Sequence, residues 1–198
     1  MKELNLESGR ALVIVAHPDD ETIWMGGTLL MHPLIDWTIF SLCRSTDADR
    51  APKFKKVCDH YGAKSITTDL EDEGIMNISQ SIPEIEKRIG RYIGNTEVFD
   101  YIFTHGANGE YGHPRHVGVH RAVGRLLQSK KLYARQCFYF SYGADAHKRV
   151  YNKKSAMFCA KLVRDVHAKK RNIIKNIYGF SSRSFENISC LPTETFSL

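Results

Sequence analysis

Two short motifs carry the residues of this chain that are best suited to chemistry. Residues 16–21 read Ala-His-Pro-Asp-Asp-Glu, and residues 111–116 read Tyr-Gly-His-Pro-Arg-His. His17, Asp20 and His116 would supply two imidazoles and one carboxylate. A catalytic zinc typically takes three ligands of these types and keeps a fourth position open for water. The motifs therefore predict the parts of a metal-dependent hydrolase.

Asp19, next to Asp20 in the first motif, is a carboxylate that this ligand set leaves unused. A carboxylate beside a metal-activated water, but not bound to the metal, is suited to act as a general base. Because Asp19 and Asp20 are adjacent, the sequence also leaves open the reverse assignment, in which Asp19 is the ligand. The donor types do not decide between Zn²⁺ and Fe²⁺ either, since both ions accept such ligands.

Each motif also has a purely structural interpretation. Carboxylates that follow an apolar strand and open a helix satisfy free backbone N–H groups and complement the helix dipole. His113 followed by Pro114 is compatible with an ordinary helix start, because proline is tolerated at the first helical position. The occurrence of both motifs in one chain, each after a predicted strand, favours the functional interpretation.

The elements that would position the motifs alternate along the chain. Residues 11–15 form an apolar, β-branched run that predicts a buried parallel strand. The first motif then lies at the carboxyl end of this strand, where open α/β sheets bind ligands. The alternation predicts an α/β fold with a three-layer, doubly wound, mostly parallel sheet, in a single domain over residues 1–198. The predicted strands cover residues 11–15, 37–42, 65–68, 101–104 and 137–140, and the predicted helices cover about 21–30, 51–61 and 82–92, with a further helix carrying His116.

This topology places two further residues near the predicted site. His105 ends the fourth strand and would line the pocket. Arg50 follows the second strand, in a loop that could contact a substrate. Both are therefore predicted to bind substrate.

The two motifs resemble the signatures of the PIG-L/LmbE-like zinc-dependent N-deacetylases. The first signature is complete, including Gly26 and Gly27, and the second departs at Arg115, where the family usually has aspartate. The resemblance is strongest over residues 11–31 and 101–124. It implies a zinc enzyme, similar to N-acetylglucosaminyl deacetylases, that removes the acetyl group from an N-acetylated amino sugar or its conjugate.

The family resemblance also implies roles for the other residues of the second motif. Tyr111 would stabilise the tetrahedral oxyanion with its hydroxyl. Protonated His113 would stabilise charge or give the leaving amine its proton. The resemblance gives no role to Arg115, which departs from the family pattern. If its side chain points toward His113, its positive charge would lower the pKa of that ring; if it faces outward, it would bind a substrate phosphate or remain a solvated surface residue. The departure at Arg115 keeps a second hypothesis open, a metal- or glycan-binding module with weak or lost catalysis.

The composition predicts a cytoplasmic enzyme without a transmembrane segment. With 198 residues and 42% apolar content, the chain can bury a substantial core. No apolar stretch approaches the roughly 20 residues that cross a bilayer, and the N-terminus lacks the apolar region of a secretory signal. The five cysteines are scattered and odd in number, which predicts reduced thiols rather than a disulfide framework.

The net charge of +6 is concentrated late in the chain. Between residues 147 and 176, ten Lys or Arg residues oppose a single acid. This segment is either a solvated helix face or a site for an anionic partner, such as a nucleotide-linked, phosphorylated or lipid-phosphate-linked sugar. Because no nucleic-acid-binding motif occurs, the predicted partner is a small amino-sugar conjugate and not a nucleic acid. The oligomeric state stays open, a homo-oligomer included.

Overall fold

A large, mostly parallel sheet forms the centre of the computed structural model, which describes residues 1–94 and 96–198. In this described part the sheet has eight strands, and two further strands pair as a separate antiparallel hairpin. The sheet strands are β1 (Lys2–Glu3), β2 (Arg10–Val15), β3 (Asp36–Ser41), β4 (Lys64–Thr67), β5 (Val98–Thr104), β6 (Tyr133–Phe140), β9 (Phe158–Lys161) and β10 (Thr193–Ser197), and the hairpin is β7 (Tyr142–Ala144) with β8 (Val150–Asn152).

Helices lie on both faces of the sheet, as the alternating sequence pattern predicts. Among the residues described, none of the helices is long and apolar enough to cross a membrane. The five cysteines are free thiols, and four of them are buried. The helices are α1 (Asp20–Met31), α2 (Arg50–Tyr61), α3 (Ile78–Tyr92), α4 (Gly109–Gly112), α5 (Pro114–Gln128), α6 (Arg164–Asn176) and α7 (Phe185–Ile188).

Strand β2 shows why the fold has three layers. Its side chains alternate between two hydrophobic cores. Leu12 and Ile14 pack in the core that contains α3 and α5. Val13 and Val15 pack in the core that contains α1, α2 and α6. A strand buried on both faces must be apolar at nearly every position, which residues 11–15 are. The predicted three-layer, mostly parallel sheet is confirmed.

The strand order places a crevice beside the first motif. The order across the sheet is β1-β9-β10-β6-β5-β2-β3-β4. Strand β2 pairs in parallel with β3 on one side and with β5 on the other. The chain therefore runs outward from β2 through β3 to β4, and then crosses back to β5. Ligands of doubly wound sheets bind at such a reversal of strand order, at the carboxyl ends of the strands.

Strands β9 and β10 also belong to the sheet. Both lie after residue 140, where the sequence predicted no strand. Strand β10 runs antiparallel to both β6 and β9. Its sequence is largely polar, yet Glu194 and Thr195 are fully buried. Polar residues in a strand give no apolar or alternating signal. Their burial depends on partners elsewhere in the chain.

Helix α3 begins at Ile78. The sequence had predicted a start at about residue 82. Asn77 and Gln80 form a capping box, in which each side chain accepts the other residue's backbone N–H at 3.0 Å. This box satisfies two N–H groups at the helix start. Pro83 lies inside the helix instead of opening it. The prediction was therefore wrong by about one turn, because it took the proline and not the capping box as the start signal.

A buried ion pair anchors α1, the helix that follows the first motif. At Met25 the backbone leaves helical geometry, with φ −147°. The carboxylate of Glu194 accepts the N–H groups of Gly27 and Thr28 just beyond this break, each at 2.7 Å. Lys170 Nζ donates to the same carboxylate at 2.7 Å, and both side chains are fully buried. The pair ties α1 to α6 and β10.

Replacing Lys170 with methionine should lower the free energy of unfolding by about 3–5 kcal/mol, because Glu194 would remain buried without its cation. Urea denaturation measures this change. Lys169→Met is the matched control, since Lys169 is the exposed neighbour on the same helix. The control should stay within about 0.5 kcal/mol of the parent protein. Equal stability of the two variants would contradict the role assigned to the ion pair.

Candidate metal centre

The two motifs meet at the carboxyl ends of β2 and β5. The first motif leaves β2 and enters α1, and the second follows β5 through α4 into α5. Because β2 and β5 are parallel neighbours, both motifs lie at the same edge of the sheet. The predicted catalytic and metal-binding residues that come together there are His17, Asp19, Asp20, Tyr111, His113 and His116.

Three ligand atoms form a nearly equilateral triangle. His17 Nδ1 lies 3.2 Å from Asp20 Oδ2, and His116 Nε2 lies 3.3 Å from each of these atoms. A tetrahedral ion with ligand bonds of about 2.0–2.1 Å holds its ligand atoms roughly 3.3–3.4 Å apart. The side chains of His17, Asp20 and His116 therefore fit a single ion, and a fourth ligand position would remain free.

A second trio, formed by Asp20, His105 and His116, also lies close enough for one ion. His105, however, has no nitrogen to spare, because Nε2 accepts the N–H of Ala16 at 3.0 Å and Nδ1 lies 2.8 Å from Glu110. A neutral imidazole has one donor and one acceptor nitrogen, and both are used here. His105 is also fully buried and stacked on His116, with ring centroids 3.8 Å apart. The expected contact of His105 with substrate is therefore wrong.

Glu110 determines which nitrogen of His116 is available. Its Oε2 lies 2.6 Å from His116 Nδ1 and 2.8 Å from His105 Nδ1, while Oε1 accepts the N–H of Gly106 at 2.7 Å. Burial alone would raise the pKa of Glu110, but His105 and His116 beside it lower the pKa to about 2. The carboxylate thus holds a proton on Nδ1 of His116 and leaves the Nε2 lone pair for a metal. Such carboxylate partners orient metal-binding histidines and raise their basicity.

The other two ligand side chains have partners of their own. Trp24 Nε1 donates to Asp20 Oδ1 at 2.9 Å, which leaves Oδ2 in the triangle. Asp72 Oδ1 lies 3.0 Å from His17 Nε2, although the ring direction leaves this nitrogen without an aligned hydrogen bond. Arg44 contacts the same carboxylate at 3.1 Å. A carboxylate beside Nε2 favours a proton there, and so keeps Nδ1 of His17 free to bind a metal.

Asp19 differs from Asp20 in both backbone and environment. Its φ of 122° lies in the left-handed region, which costs a residue other than glycine about 1–3 kcal/mol. Its Oδ2 accepts a hydrogen bond from Arg50 Nη1 at 2.8 Å. Burial and the neighbouring charge of Asp20 raise the pKa of Asp19 well above its usual range, although Arg50 opposes the shift. A carboxylate with a raised pKa is a stronger base.

His113 belongs to a third possible metal trio, with His17 and His116. Its Nδ1 accepts the backbone N–H of Arg115 at 3.2 Å, so the neutral ring carries its proton on Nε2. A protonated nitrogen cannot bind a metal, which argues against this trio. Burial, followed by the charges of His116 and His17, lowers the pKa of His113 to about 3. With His17 and His116 charged and no ion bound, the ring of His113 is neutral at pH 7, and its predicted role in catalysis stays a prediction.

A cavity of about 280 Å³ lies over these residues. Tyr111 packs against Phe185 on α7, with ring centroids 4.8 Å apart, and both residues line the cavity. Among the described residues, none from the basic segment 147–176 lines this cavity. The cationic side chains that line the cavity are those of Arg44 and Arg50. Arg50 therefore lines the cavity, and its contact with a substrate stays a prediction.

Arg115 points away from the cavity over the metal centre. Its Nε donates to the backbone oxygen of Glu71 at 2.6 Å. Its Nη2 donates to Glu71 Oε2 at 2.6 Å and to the backbone oxygen of Met76 at 2.8 Å. The residue is only 2% exposed, so the expectation of a solvated surface residue is wrong. Arg115 instead holds the loop that carries Asp72.

The sequence reasoning missed Glu110, Trp24 and Asp72. Of these three residues, only Glu110 could have been predicted from nearby sequence. It directly precedes the second motif, and a metal-bound histidine usually has a carboxylate partner. Trp24 resembles an ordinary apolar residue of a buried helix. Asp72 lies 55 positions from the histidine it contacts, in a loop with several other acids.

Comparison with known proteins identifies the family. Residues 12–127 match the sequence profile of the PIG-L family, described as GlcNAc-PI de-N-acetylase. The match covers more than half of the chain, and the chain therefore belongs to this family. The predicted resemblance is confirmed. No curated protein matches the chain in sequence.

Solved structures of low sequence identity share the fold. The conserved protein TT1542 from Thermus thermophilus is 14% identical, with a TM-score of 0.67 over 94% of this chain and 92% of that one. The A40926 pseudoaglycone deacetylase Dbv21 is 13% identical, with a TM-score of 0.65 over 91% and 89%. GalB, the 4-carboxy-2-hydroxymuconate hydratase from Pseudomonas putida, is 13% identical, with a TM-score of 0.60 over 91% and 82%. Because a hydratase is among them, the fold alone does not define the reaction.

The role of Glu110 can be tested with Glu110→Gln. A glutamine cannot accept all three N–H groups now directed at the carboxylate, so the dissociation constant for Zn²⁺ should rise about 10- to 100-fold. Competition with a chromogenic chelator measures this constant. Glu73→Gln is the control, because Glu73 is an exposed acid of the adjacent loop, and it should bind zinc as the parent protein does.

Nitrogen-15 NMR of the histidine rings gives a second measurement that does not depend on the stability of the variant. In the unaltered protein, His116 should carry its proton on Nδ1. A proton on Nε2, or unchanged zinc affinity in a folded Glu110→Gln variant, would rule out the assigned role of Glu110.

Proposed function

We propose that this chain is a metal-dependent N-deacetylase that acts on an N-acetylated amino sugar or its conjugate. The observation that carries the proposal is the triangle of ligand atoms from His17, Asp20 and His116, with the unliganded carboxylate of Asp19 lining the same cavity. The family description, GlcNAc-PI de-N-acetylase, and the deacetylase Dbv21 among proteins of this fold support the same class of reaction.

The proposed reaction is hydrolysis of an acetamide to acetate and a free amine. A divalent ion held by His17, Asp20 and His116, zinc or ferrous iron, would polarise the acetamide carbonyl and lower the pKa of a water molecule there. Asp19 would accept the proton of the attacking water, and its raised pKa suits this task. Arg50 would orient Asp19 through the 2.8 Å contact between them.

The remaining side chains of the cavity would stabilise the developing charge. Neutral His113, with its proton on Nε2, and the Tyr111 hydroxyl are hydrogen-bond donors suited to an oxyanion. Because the pKa of His113 is about 3, few of these rings are imidazolium at neutral pH, and His113 is a poor general acid. Asp19, once protonated, would therefore return its proton to the leaving amine.

The second hypothesis was a metal- or glycan-binding module with weak or lost catalysis, and it depended on Arg115. The guanidinium of Arg115 is bound to Glu71 and Met76, away from the ring of His113. The position of Arg115 thus leaves the groups proposed for proton transfer in place. This favours the enzyme over the binding module.

Asp19→Asn separates the roles of the two adjacent aspartates. If Asp19 is the general base, this variant should bind zinc within about tenfold of the parent protein and lose about 10²- to 10⁴-fold in acetate release. Asp49→Asn, at an exposed acid on the neighbouring loop, is the control and should keep full activity. Loss of zinc binding together with activity would instead make Asp19 the ligand.

Metal removal tests the proposed centre directly. The purified protein should carry about one divalent ion per chain, and His116→Ala should abolish tight binding. Dialysis against a chelator should stop acetate release, and Zn²⁺ or, without oxygen, Fe²⁺ should restore it. Suitable substrates are N-acetylglucosamine in free, nucleotide-linked and lipid-linked forms. Undiminished acetate release from the metal-free protein would show that the proposed mechanism is incorrect.

A further inference from the structure

The strained backbone of Asp19 is held by a second carboxylate, that of Glu21. Glu21 Oε2 accepts the N–H of Asp19 at 3.0 Å, and Glu21 is fully buried. The proposed reaction gives Glu21 no step. A residue other than glycine keeps a left-handed φ only where the surrounding structure holds it there. Contacts that fix the Glu21 carboxylate therefore also fix the position of Asp19.

The other oxygen of Glu21 accepts two hydroxyl groups. Oε1 lies 2.8 Å from Tyr178 Oη and 2.6 Å from Thr22 Oγ1, and both hydroxyls donate to it. Tyr61 Oη lies 3.0 Å from Thr22 Oγ1, and Tyr61 is the donor there because Thr22 gives its hydrogen to Glu21. Tyr178 follows α6 and is buried, so its contact with Glu21 joins residues 157 positions apart.

Phe180, two residues after Tyr178, reaches Asp19 through a different residue. The ring of Phe180 lies against the guanidinium of Arg50, whose Cζ is 4.4 Å from the ring centroid. Arg50 Nη1 donates to Asp19 Oδ2 at 2.8 Å. A guanidinium within about 6 Å of an aromatic centroid is attracted to the face of the ring. Phe180 therefore restricts where Arg50 can place the N–H that binds Asp19.

A glycine turn fixes both aromatic residues to the end of α6. Gly179, which lies between them, has φ 86°, the left-handed conformation that commonly ends a helix. The N–H of Tyr178 donates to the backbone oxygen of Ile173 at 3.2 Å, and that of Phe180 donates to the backbone oxygen of Ile174 at 3.1 Å. Because Ile173 and Ile174 are buried in the core, the turn has a fixed place from which to support Asp19.

We infer that Tyr178 and Phe180 are positioning residues for Asp19. Tyr178 acts through Glu21 on the backbone of Asp19, and Phe180 acts through Arg50 on its carboxylate. Both contacts start from one three-residue segment, which lies beyond the residues 12–127 that match the family profile. The inference rests on the proposed function in one respect, that Asp19 is the general base.

Amide hydrogen exchange in the metal-free protein tests the contact through Glu21 without the reaction. Tyr178→Phe removes only the hydroxyl that donates to Glu21, so the amide proton of Asp19 should exchange about tenfold or more faster. NMR of nitrogen-15-labelled protein measures this rate, and the amides of β2 should keep theirs. Tyr101→Phe is the matched control and should leave the Asp19 rate unchanged, because Tyr101 Oη accepts the backbone N–H of Glu7. An unchanged Asp19 rate in Tyr178→Phe would overturn the inference.

Kinetics of the zinc-loaded protein test both contacts. Tyr178→Phe should lower kcat for acetate release about tenfold or more, and Phe180→Leu should lower it about threefold or more. In both variants, KM and the dissociation constant for Zn²⁺ should stay within about twofold of the parent values, because the substitutions displace the base and leave the metal ligands in place. Phe158→Leu is the control for Phe180→Leu and should keep full kcat, since Phe158 packs against Phe138 on a neighbouring part of the sheet.

Combining each substitution with Asp19→Asn separates positioning from a general loss of structure. If Tyr178 and Phe180 act through Asp19, each substitution should lower the residual kcat of Asp19→Asn by less than about twofold. The same fold-loss with and without Asp19, or full kcat in both single variants, would overturn the inference and leave the deacetylase. Faster Asp19 exchange in Tyr178→Phe, without acetate release from any sugar by the parent protein, would leave the positioning of Asp19 standing and refute the proposed function.

Discussion

The buried carboxylate of Glu110 is the contact on which the rest of the site depends. It binds the Nδ1 atoms of His105 and His116, and His105 in turn accepts the N–H of Ala16 at the end of β2. One side chain thus joins the loop after β5 to the strand that precedes the first motif. Glu110 has a left-handed backbone, with φ 57°. Hydrogen bonds in a buried, low-dielectric region are strong enough to offset the strain of this conformation.

Several buried acids lie close together around Glu110, and their combined negative charge favours the binding of a cation. Asp19, Asp20, Glu21 and Glu110 are all at most 7% exposed, close to one another at the edge of the sheet. Burying charges of like sign is costly, and the strained φ of Asp19 adds to the cost. Such arrangements are typical of functional sites, where the surrounding fold supplies the stability that the site lacks. The buried ion pair behind α1 and the two hydrophobic cores supply it in this fold.

Arg115 shows how one change within a motif acquires its meaning from the tertiary structure. Beside His113 in sequence, it would be expected to act on the charge of that ring. In the fold, its guanidinium binds Glu71 and Met76, and so fixes the loop that carries Asp72 at the wall of the cavity over the metal centre. The low pKa of His113 arises from burial and from the neighbouring imidazoles.

Local sequence determined those features that depend on a few adjacent residues. The apolar run 11–15 predicted β2 because a strand buried on both faces must be apolar throughout. The residue types of His17, Asp20 and His116 predicted a metal-binding set, and the topology brought their ligand atoms within 3.2–3.3 Å of one another. Helix starts were less certain, because a capping box and a proline compete as signals within a few residues.

Only the tertiary structure decided which residues support the site. The polar strand β10 is buried because Glu194 meets Lys170 and the broken helix α1, contacts that span up to 167 positions in the chain. Asp72 reaches His17 only through a loop fixed by Arg115. The protonation of His113 likewise follows from burial and from neighbours, and residue type alone does not define it. The sequence by itself therefore determined the chemistry that this protein has available, while long-range contacts decided which atoms are free to use it, since burial and hydrogen-bond partners are properties of the folded chain.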